Sequence, residues 1–274
     1  MQDKTEHTVF RCEVGVHHDD VTHWQMDEVA VETPVALVYN ILPHAVMMVT
    51  PSDLEDFALG FSLTEGIIQH IDDVNHVHVQ QVENGTTVRL QITDDCFDKL
   101  RDMKRNIVGR TGCGLCGVET LQQAIRPIPP VEAVDVADAV IQKALAALKQ
   151  HQALQQITGA THAAGWCDLE GNIVMVREDV GRHNALDKLI GAHKKAGLSA
   201  QQGFVIVTSR ASYEMVQKSA LAGFGCLVAV SAPTSLAIEQ ARQANIKLVG
   251  FARAGRHIIY HNPVDQQQAD RNAI

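Results

Sequence analysis

Hydrophobic and polar positions follow two different spacings along the chain, and the change between them divides it. In the first part the apolar positions alternate. Pro34-Val35-Ala36-Leu37-Val38-Tyr39 predicts a strand, and residues 76–82 and 86–92 alternate around Asn84-Gly85, which predicts a β-hairpin. Before the hairpin, Ser52-Asp53-Leu54-Glu55 has the form of a capping box and predicts a helix running to about Glu65, with Gly66 placed to end it. His76 and His78 share one strand face; two ligands at that spacing can meet a metal, but polar residues on the wet face of an antiparallel sheet give the same pattern.

Arg126-Pro127-Ile128-Pro129-Pro130 interrupts the chain, since its prolines forbid a continuous helix or a central strand. Beyond it the spacing becomes helical from Ala133 to Lys149. Strand-like apolar runs then follow at 173–176, 204–207, 226–230 and 247–251, separated by helical stretches at 185–192, 213–222 and 236–244. Near-continuous apolar strands alternating with helices predict a mostly parallel sheet covered on both faces. The expected organisation is α/β, with an α+β domain over residues 1–126 and a three-layer α/β domain over 127–274.

Composition narrows the function classes. The 274 residues are 46% hydrophobic and 20% charged, which suits a sizeable core and argues against disorder. No apolar run approaches the length needed to span a bilayer, and the polar start Met1-Gln2-Asp3-Lys4 lacks the apolar stretch of a signal peptide. The expectation is a soluble, cytoplasmic protein. A net charge of −9 argues against nonspecific binding to nucleic acid or to an acidic membrane, so an anionic ligand would need a local concentration of Arg, Lys and N–H groups.

The strand ends supply such a concentration. In an open α/β sheet, ligands sit beyond the carboxyl ends of the strands. Those junctions read Arg177-Glu178-Asp179-Val180-Gly181-Arg182-His183-Asn184, Thr208-Ser209-Arg210-Ala211-Ser212, Ser231-Ala232-Pro233-Thr234-Ser235 and Ala252-Arg253-Ala254-Gly255-Arg256. Helix capping alone accounts for Ser212, Asn184 and Ser235. It does not account for Arg177, Arg182, Arg210, Arg253 and Arg256 on one edge, which points to an anionic, phosphate-bearing ligand. Asp179 and Asp187 would hold those arginines or accept hydrogen bonds from a base or sugar; for Asp187-Lys188 an exposed helix face is the alternative.

Six cysteines are too sparse for a disulfide scaffold. Cys12, Cys96, Cys167 and Cys226 are isolated, and Cys226 opens an apolar run where a buried, inert thiol is expected. Cys113 and Cys116, in Arg110-Thr111-Gly112-Cys113-Gly114-Leu115-Cys116-Gly117, form the pattern. Val118, Leu121 and Ile125 then have helical spacing, so the thiols precede a helix N-terminus with Arg110, Lys104 and Arg105 nearby, a setting that favours the thiolate. Structural zinc needs four ligands, and no second Cys-x-x-Cys exists; His162 and Cys167 are the nearest recruits. A zinc deaminase needs His-x-Glu before Pro-Cys-x-x-Cys, which is missing. No metal is therefore expected. A thioredoxin-like dithiol and a persulfide carrier remain, and the motif alone leaves both open.

Several segments together resemble the FdhD family, sulfurtransferases required for formate dehydrogenase activity. They are Leu59-Gly60-Phe61-Ser62-Leu63-Thr64-Glu65-Gly66, Cys113-Gly114-Leu115-Cys116-Gly117, Thr158-Gly159-Ala160-Thr161-His162-Ala163-Ala164, the run from Val176 to Lys188, Ser209-Arg210-Ala211-Ser212-Tyr213-Glu214, Ser231-Ala232-Pro233-Thr234-Ser235 and Phe251-Ala252-Arg253-Ala254-Gly255-Arg256. Trp166-Cys167 departs from the family pattern, and Cys167 is given no role. The resemblance implies that sulfur passes from a cysteine desulfurase to this protein and then to the molybdenum of bis(molybdopterin guanine dinucleotide), for insertion into the formate dehydrogenase catalytic subunit. It implies a persulfide on Cys113, assisted by Cys116, a cytidine-deaminase-like second half, a homodimer, and cofactor contact by Phe251, Ala252, Arg253, Ala254, Gly255 and Arg256. Two pyrophosphates in that cofactor match the arginine-lined edge, so Arg182, Arg253 and Arg256 are expected on phosphates and Ser209, Asp179 or Asp187 on guanine or ribose, with GDP as a mimic. His183 could shuttle a proton, with a helix-capping or structural histidine as the alternative. A thiol–disulfide oxidoreductase and a non-catalytic cofactor chaperone are the alternatives.

Overall fold

The computed structural model describes residues 7–108 and 128–264, so the expectations for Cys113 and Cys116 lie outside the described residues. The alternating first part forms a four-stranded sheet in the order β4-β3-β6-β5, from β3 (Thr33–Tyr39), β4 (Leu42–Val49), β5 (Val74–Val82) and β6 (Gly85–Ile92). The hairpin expected at 76–92 is present, with Val82 opposite Gly85. Val35, Leu37 and Tyr39 of β3 and Val88, Leu90 and Ile92 of β6 turn inward, where Phe57, Ala58 and Phe61 of helix α1 (Leu54–Thr64) cover them. His76 and His78 stack on the exposed face at 6.4 Å between ring centroids.

Helix α1 stops as expected, with Gly66 in the left-handed region (φ 72°). Its start differs from the capping box. Asp53 is the capping residue, itself left-handed (φ 51°), and its side chain makes no capping bond. The acidic side chain one turn on, Asp56, is committed elsewhere: Arg177 donates to its Oδ2 from Nε at 2.9 Å and from Nη2 at 2.8 Å, and Lys195 lies 2.5 Å from its Oδ1.

The second sheet has six strands in the order β12-β11-β10-β9-β7-β8. Its middle, β9 (Gly203–Val207), β10 (Cys226–Ala229) and β11 (Lys247–Arg253), is parallel, and its flanks β7 (His162–Asp168), β8 (Ile173–Asp179) and β12 (Arg256–His261) pair antiparallel. The expectation of a mostly parallel sheet therefore needs correction. Strand β7, built partly from the small residues Ala163, Ala164 and Gly165, turns directly into β8 and separates it from β9.

Both faces of this sheet are covered. Val205, Val207, Leu227, Ala229 and Leu248 meet helices α5 (Arg182–Lys195), α6 (Tyr213–Leu221) and α7 (Ser235–Gln243), while Phe204, Ile206, Cys226, Val228 and Val249 meet helix α3 (Asp138–Leu148). Helix α3 begins five residues later than the helical spacing from Ala133 suggested. Val134 and Val136 are buried in an extended segment, and the buried Lys247 ammonium donates to the Val136 carbonyl at 2.8 Å, so the spacing there is strand-like.

Helices α1 and α5 join the two sheets. They run antiparallel with their backbones in contact: a methyl group on Gly60 would overlap the Asp187 carbonyl, and one on Gly191 would overlap the Asp56 carbonyl. Only glycine permits that approach. The remaining elements are α2 (Asp94–Val108), α4 (Ala153–Thr158) and a two-stranded ribbon of β1 (Val9–His18) and β2 (Val21–Ala30), which exposes Phe10, Trp24 and Met26. No helix among the described residues is long and apolar enough to cross a membrane.

Candidate functional site

The parallel strands β9, β10 and β11 end on one edge of the six-stranded sheet. The pairing of β7 with both β8 and β9 brings the start of β7, the end of β8 and the first turn of α5 to the same edge. The residues expected to bind ligand, Arg182, His183, Asp179, Ser209 and 251–256, thus belong to junctions of a single sheet edge.

The loop from Asp179 into α5 is held from beneath. Asp179 is fully buried, and its Oδ1 accepts from the Gly181 N–H at 2.8 Å and from Asn184 Nδ2 at 3.0 Å. Its Oδ2 accepts from the Thr50 N–H at 3.0 Å and pairs with the Lys188 ammonium at 2.7 Å. Lys188 also donates to the Thr50 carbonyl at 2.9 Å, and Asn184 to the Met48 carbonyl at 2.8 Å, which ties the loop to the end of β4. Two expectations change. Asp179 has no acceptor left for a guanine or ribose, and it holds a lysine in place of an arginine. Asn184 is bound to Asp179 and Met48, and does not cap its helix.

Asp187 behaves alike. It is buried and accepts from Thr64 Oγ1 at 2.8 Å and from the Lys218 ammonium at 2.9 Å on both oxygens. Burial pushes its carboxyl above the usual range, against the Lys218 charge and the hydrogen bonds from Lys218 and Thr64. Asp187-Lys188 is therefore on the inside of a helix packed between α1 and the six-stranded sheet, and not on an exposed face. Sequence reading missed both lysine–aspartate pairs; the available signal was a charged pair set within the apolar Leu186, Leu189 and Ile190.

Beside this support sit the other groups of the edge. Arg182 opens α5, and its buried Nε has no hydrogen-bond partner among the described residues. His183 Nε2 lies 2.8 Å from a Glu214 carboxylate oxygen on the first turn of α6. Burial lowers the His183 pKa and Glu214 opposes it, with Arg182, Lys218 and Arg210 adding to the lowering. His162 Nδ1 is 3.3 Å from Thr208 Oγ1, and burial together with Arg182 holds its pKa down. Ser209 is buried, and its hydroxyl donates to the Arg210 carbonyl at 3.0 Å. Ser212, expected to cap α6, sits at the capping position but makes no capping bond. At α7 the cap is Thr234 in place of Ser235, accepting from the Ala237 N–H at 3.3 Å.

Not all the arginines reach this surface. Arg177 is withdrawn into its pair with Asp56. Arg210, Arg253 and Arg256 are exposed, the last two paired across the turn from β11 into β12, where the Gly255 N–H donates to Gln142 Oε1 at 2.8 Å. Phe251 is left-handed (φ 48°) and about one third exposed (37%), its N–H bound to the Ser231 carbonyl, so its ring stands on this edge while Ala252 is buried.

The described cysteines separate cleanly. Cys226 is fully buried, as expected, and burial pushes its thiol up to about 12; Cys167, also buried, is pushed up to about 12. Neither supplies a thiolate near neutral pH. Cys96 is buried and Cys12 lies on the ribbon.

Comparison with known proteins agrees with this architecture. Residues 30–266 match the FdhD/NarQ family. A sulfur carrier protein FdhD from Cupriavidus necator is 55% identical over 86% of this chain and 83% of its own length, and one from Bordetella petrii is 52% identical over 87% and 86%. A crystal structure from Desulfotalea psychrophila, of a protein described as a formate dehydrogenase accessory protein, shares the fold with a TM-score of 0.75 at 23% identity, covering 94% of this chain and 98% of that one. The β1–β2 ribbon precedes the family match, whereas the edge described above lies within it. Matched across most of its length by the family as a whole and by relatives at more than half identity, the chain belongs to the FdhD/NarQ family.

Proposed function

We propose that this protein carries sulfur as a persulfide on Cys113 and delivers it to the molybdenum cofactor that formate dehydrogenase requires. The observation that carries the reading is the 55% identity, over 86% of the chain, to a protein named as a sulfur carrier. The thiols support it: Cys167 and Cys226 are buried and inert, and the glycine-flanked pair Cys113 and Cys116 has the sequence setting of reactive thiolates.

In this reading the Cys113 thiolate attacks the terminal sulfur of a cysteine desulfurase persulfide. It becomes a persulfide, and the desulfurase cysteine leaves as a thiolate. The terminal sulfur then passes, as the hydrosulfide that attack by Cys116 on the Cys113 sulfur releases, to the molybdenum of bis(molybdopterin guanine dinucleotide), which is the substrate here. That attack leaves a disulfide that a thiol reductant reopens, which is the relay or release role for Cys116. The cofactor phosphates lie on the strand-end edge, against Arg182, Arg253 and Arg256. Phe251, Ala252, Ala254 and Gly255 line it, with Ser209 toward guanine or ribose and His183 beside the phosphates. Residues 127–274 make up a cytidine-deaminase-like cofactor domain and residues 1–126 the domain bearing the thiols. The protein works as a cytoplasmic homodimer with the desulfurase and the formate dehydrogenase catalytic subunit as partners.

Activation of formate dehydrogenase in cells lacking their own copy of this protein tests the thiol assignment. Cys113→Ala is expected to reduce activation to background, whereas Cys12→Ala retains it. Full activation by Cys113→Ala would favour a chaperone that delivers the cofactor without transferring sulfur.

A further inference from the structure

We propose that Ser212 and Arg182 form an oxyanion subsite between the first turns of α5 and α6, which takes a phosphate group of a nucleotide-bearing ligand. This rests on the ligand edge of the proposed function and adds to it a residue whose sequence suggests no more than a helix cap.

Ser212 occupies the capping position of the nine-residue helix α6, with the extended backbone (φ −84°, ψ 169°) of a capping residue. The neighbouring helix α7 shows what such a position normally does, since the Thr234 hydroxyl accepts from the Ala237 N–H. The Ser212 hydroxyl accepts nothing of the kind. It is on a residue 7% exposed and has no hydrogen-bond partner among the described residues. A buried hydroxyl left unpaired is costly, so the arrangement calls for a partner that the protein itself does not provide.

Arg182 Nε is in the same condition at the start of α5. The contact of His183 on α5 with Glu214 on α6, at 2.8 Å, holds the two first turns side by side. Guanidinium nitrogens only donate, so the missing partner of Arg182 is an acceptor, and a serine hydroxyl can donate to that same group. Two helix N-termini flank the place, and each favours negative charge. An oxyanion satisfies all four requirements together. Glu214, the acidic group nearby, is taken up by His183.

Calorimetric titration of the full chain with GDP, and separately with guanosine, tests the subsite. Wild type is expected to bind GDP more tightly than guanosine. Ser212→Ala is expected to weaken GDP binding about five- to tenfold, the scale of one lost hydrogen bond, and to leave guanosine binding unchanged. Ser212→Thr, which keeps the hydroxyl, is expected to stay within about twofold of wild type. The melting temperature without ligand provides the readout that a purely structural role would move. A working cap would lower it in Ser212→Ala, whereas a hydroxyl waiting for ligand leaves it unchanged or raised. Equal GDP affinity in wild type and Ser212→Ala, with weakened binding in Arg182→Ala, would overturn the role of Ser212 and leave the phosphate edge standing. Equal affinity of wild type for GDP and guanosine would overturn the subsite and the phosphate edge together.

Discussion

Lys188→Met is expected to lose about 3–5 kcal/mol of unfolding free energy, read from the urea midpoint at constant slope. The ammonium and the Asp179 carboxylate are both fully buried at 2.7 Å, and three further donors complete the carboxylate. Removing the cation leaves a buried carboxylate with hydrogen bonds but no counter-charge, which is the expensive way to break such a pair. Lys188→Met combined with Asp179→Asn removes both charges and is expected to recover part of the loss, because the amide still accepts through one oxygen. The same support sets the position of Gly181, Arg182 and His183, so the single variant should also weaken GDP binding. A loss below about 1 kcal/mol would place this pair with exposed ion pairs and contradict its role as the anchor of the loop.

Gly191→Ala carries the second large effect, and here the sign decides. Intrinsic helix propensity favours the substitution by about 1 kcal/mol. The added methyl group would overlap the Asp56 carbonyl of α1, a backbone atom that cannot move aside as a flexible side chain does. The helices must separate, which loosens the Thr64–Asp187 bond and the Asp56 contacts with Arg177 and Lys195. The expected outcome is a loss of about 2–4 kcal/mol, read from denaturant unfolding. Gly60→Ala should behave the same way, since it meets the Asp187 carbonyl from the other side. A gain in stability for either variant would mean that the two backbones are not in contact.

Much of the fold was legible because each signal was local. The alternation on both sides of Asn84-Gly85 needs only neighbouring residues to make a hairpin, and the buried strands at 204–207, 226–229 and 247–251 carry their own apolar runs. What escaped was set by partners distant in the chain. Strand β7 begins with alanines and glycine, which have no strand signature until β8 and β9 close on them. Val134 and Val136 read as helix until Lys247, more than a hundred residues away, takes the Val136 carbonyl.

The site divides the same way. Arg182, His183 and the 251–256 turn could be placed because strand ends in such sheets gather on one edge, whatever the side chains do. The states of Asp179, Asp187, Lys188 and Lys218 could not. A lysine in a helix reads as exposed, and only the packing of α5 against α1 and the sheet shows that these four are inside. Arg177 looked like a ligand group for the same reason, until Asp56 claimed it. Ser212 is the converse case, where a familiar capping position proved to have its hydroxyl unspent.

The central claim is that sulfur travels on Cys113, and mass spectrometry of the protein after incubation with a cysteine desulfurase and free cysteine tests it most directly. The expected result is an adduct of one sulfur atom, removed by reductant, on the peptide bearing Cys113 and Cys116, and lost in Cys113→Ala. Absence of that adduct on both cysteines, with the desulfurase shown to be turning over, would contradict the account.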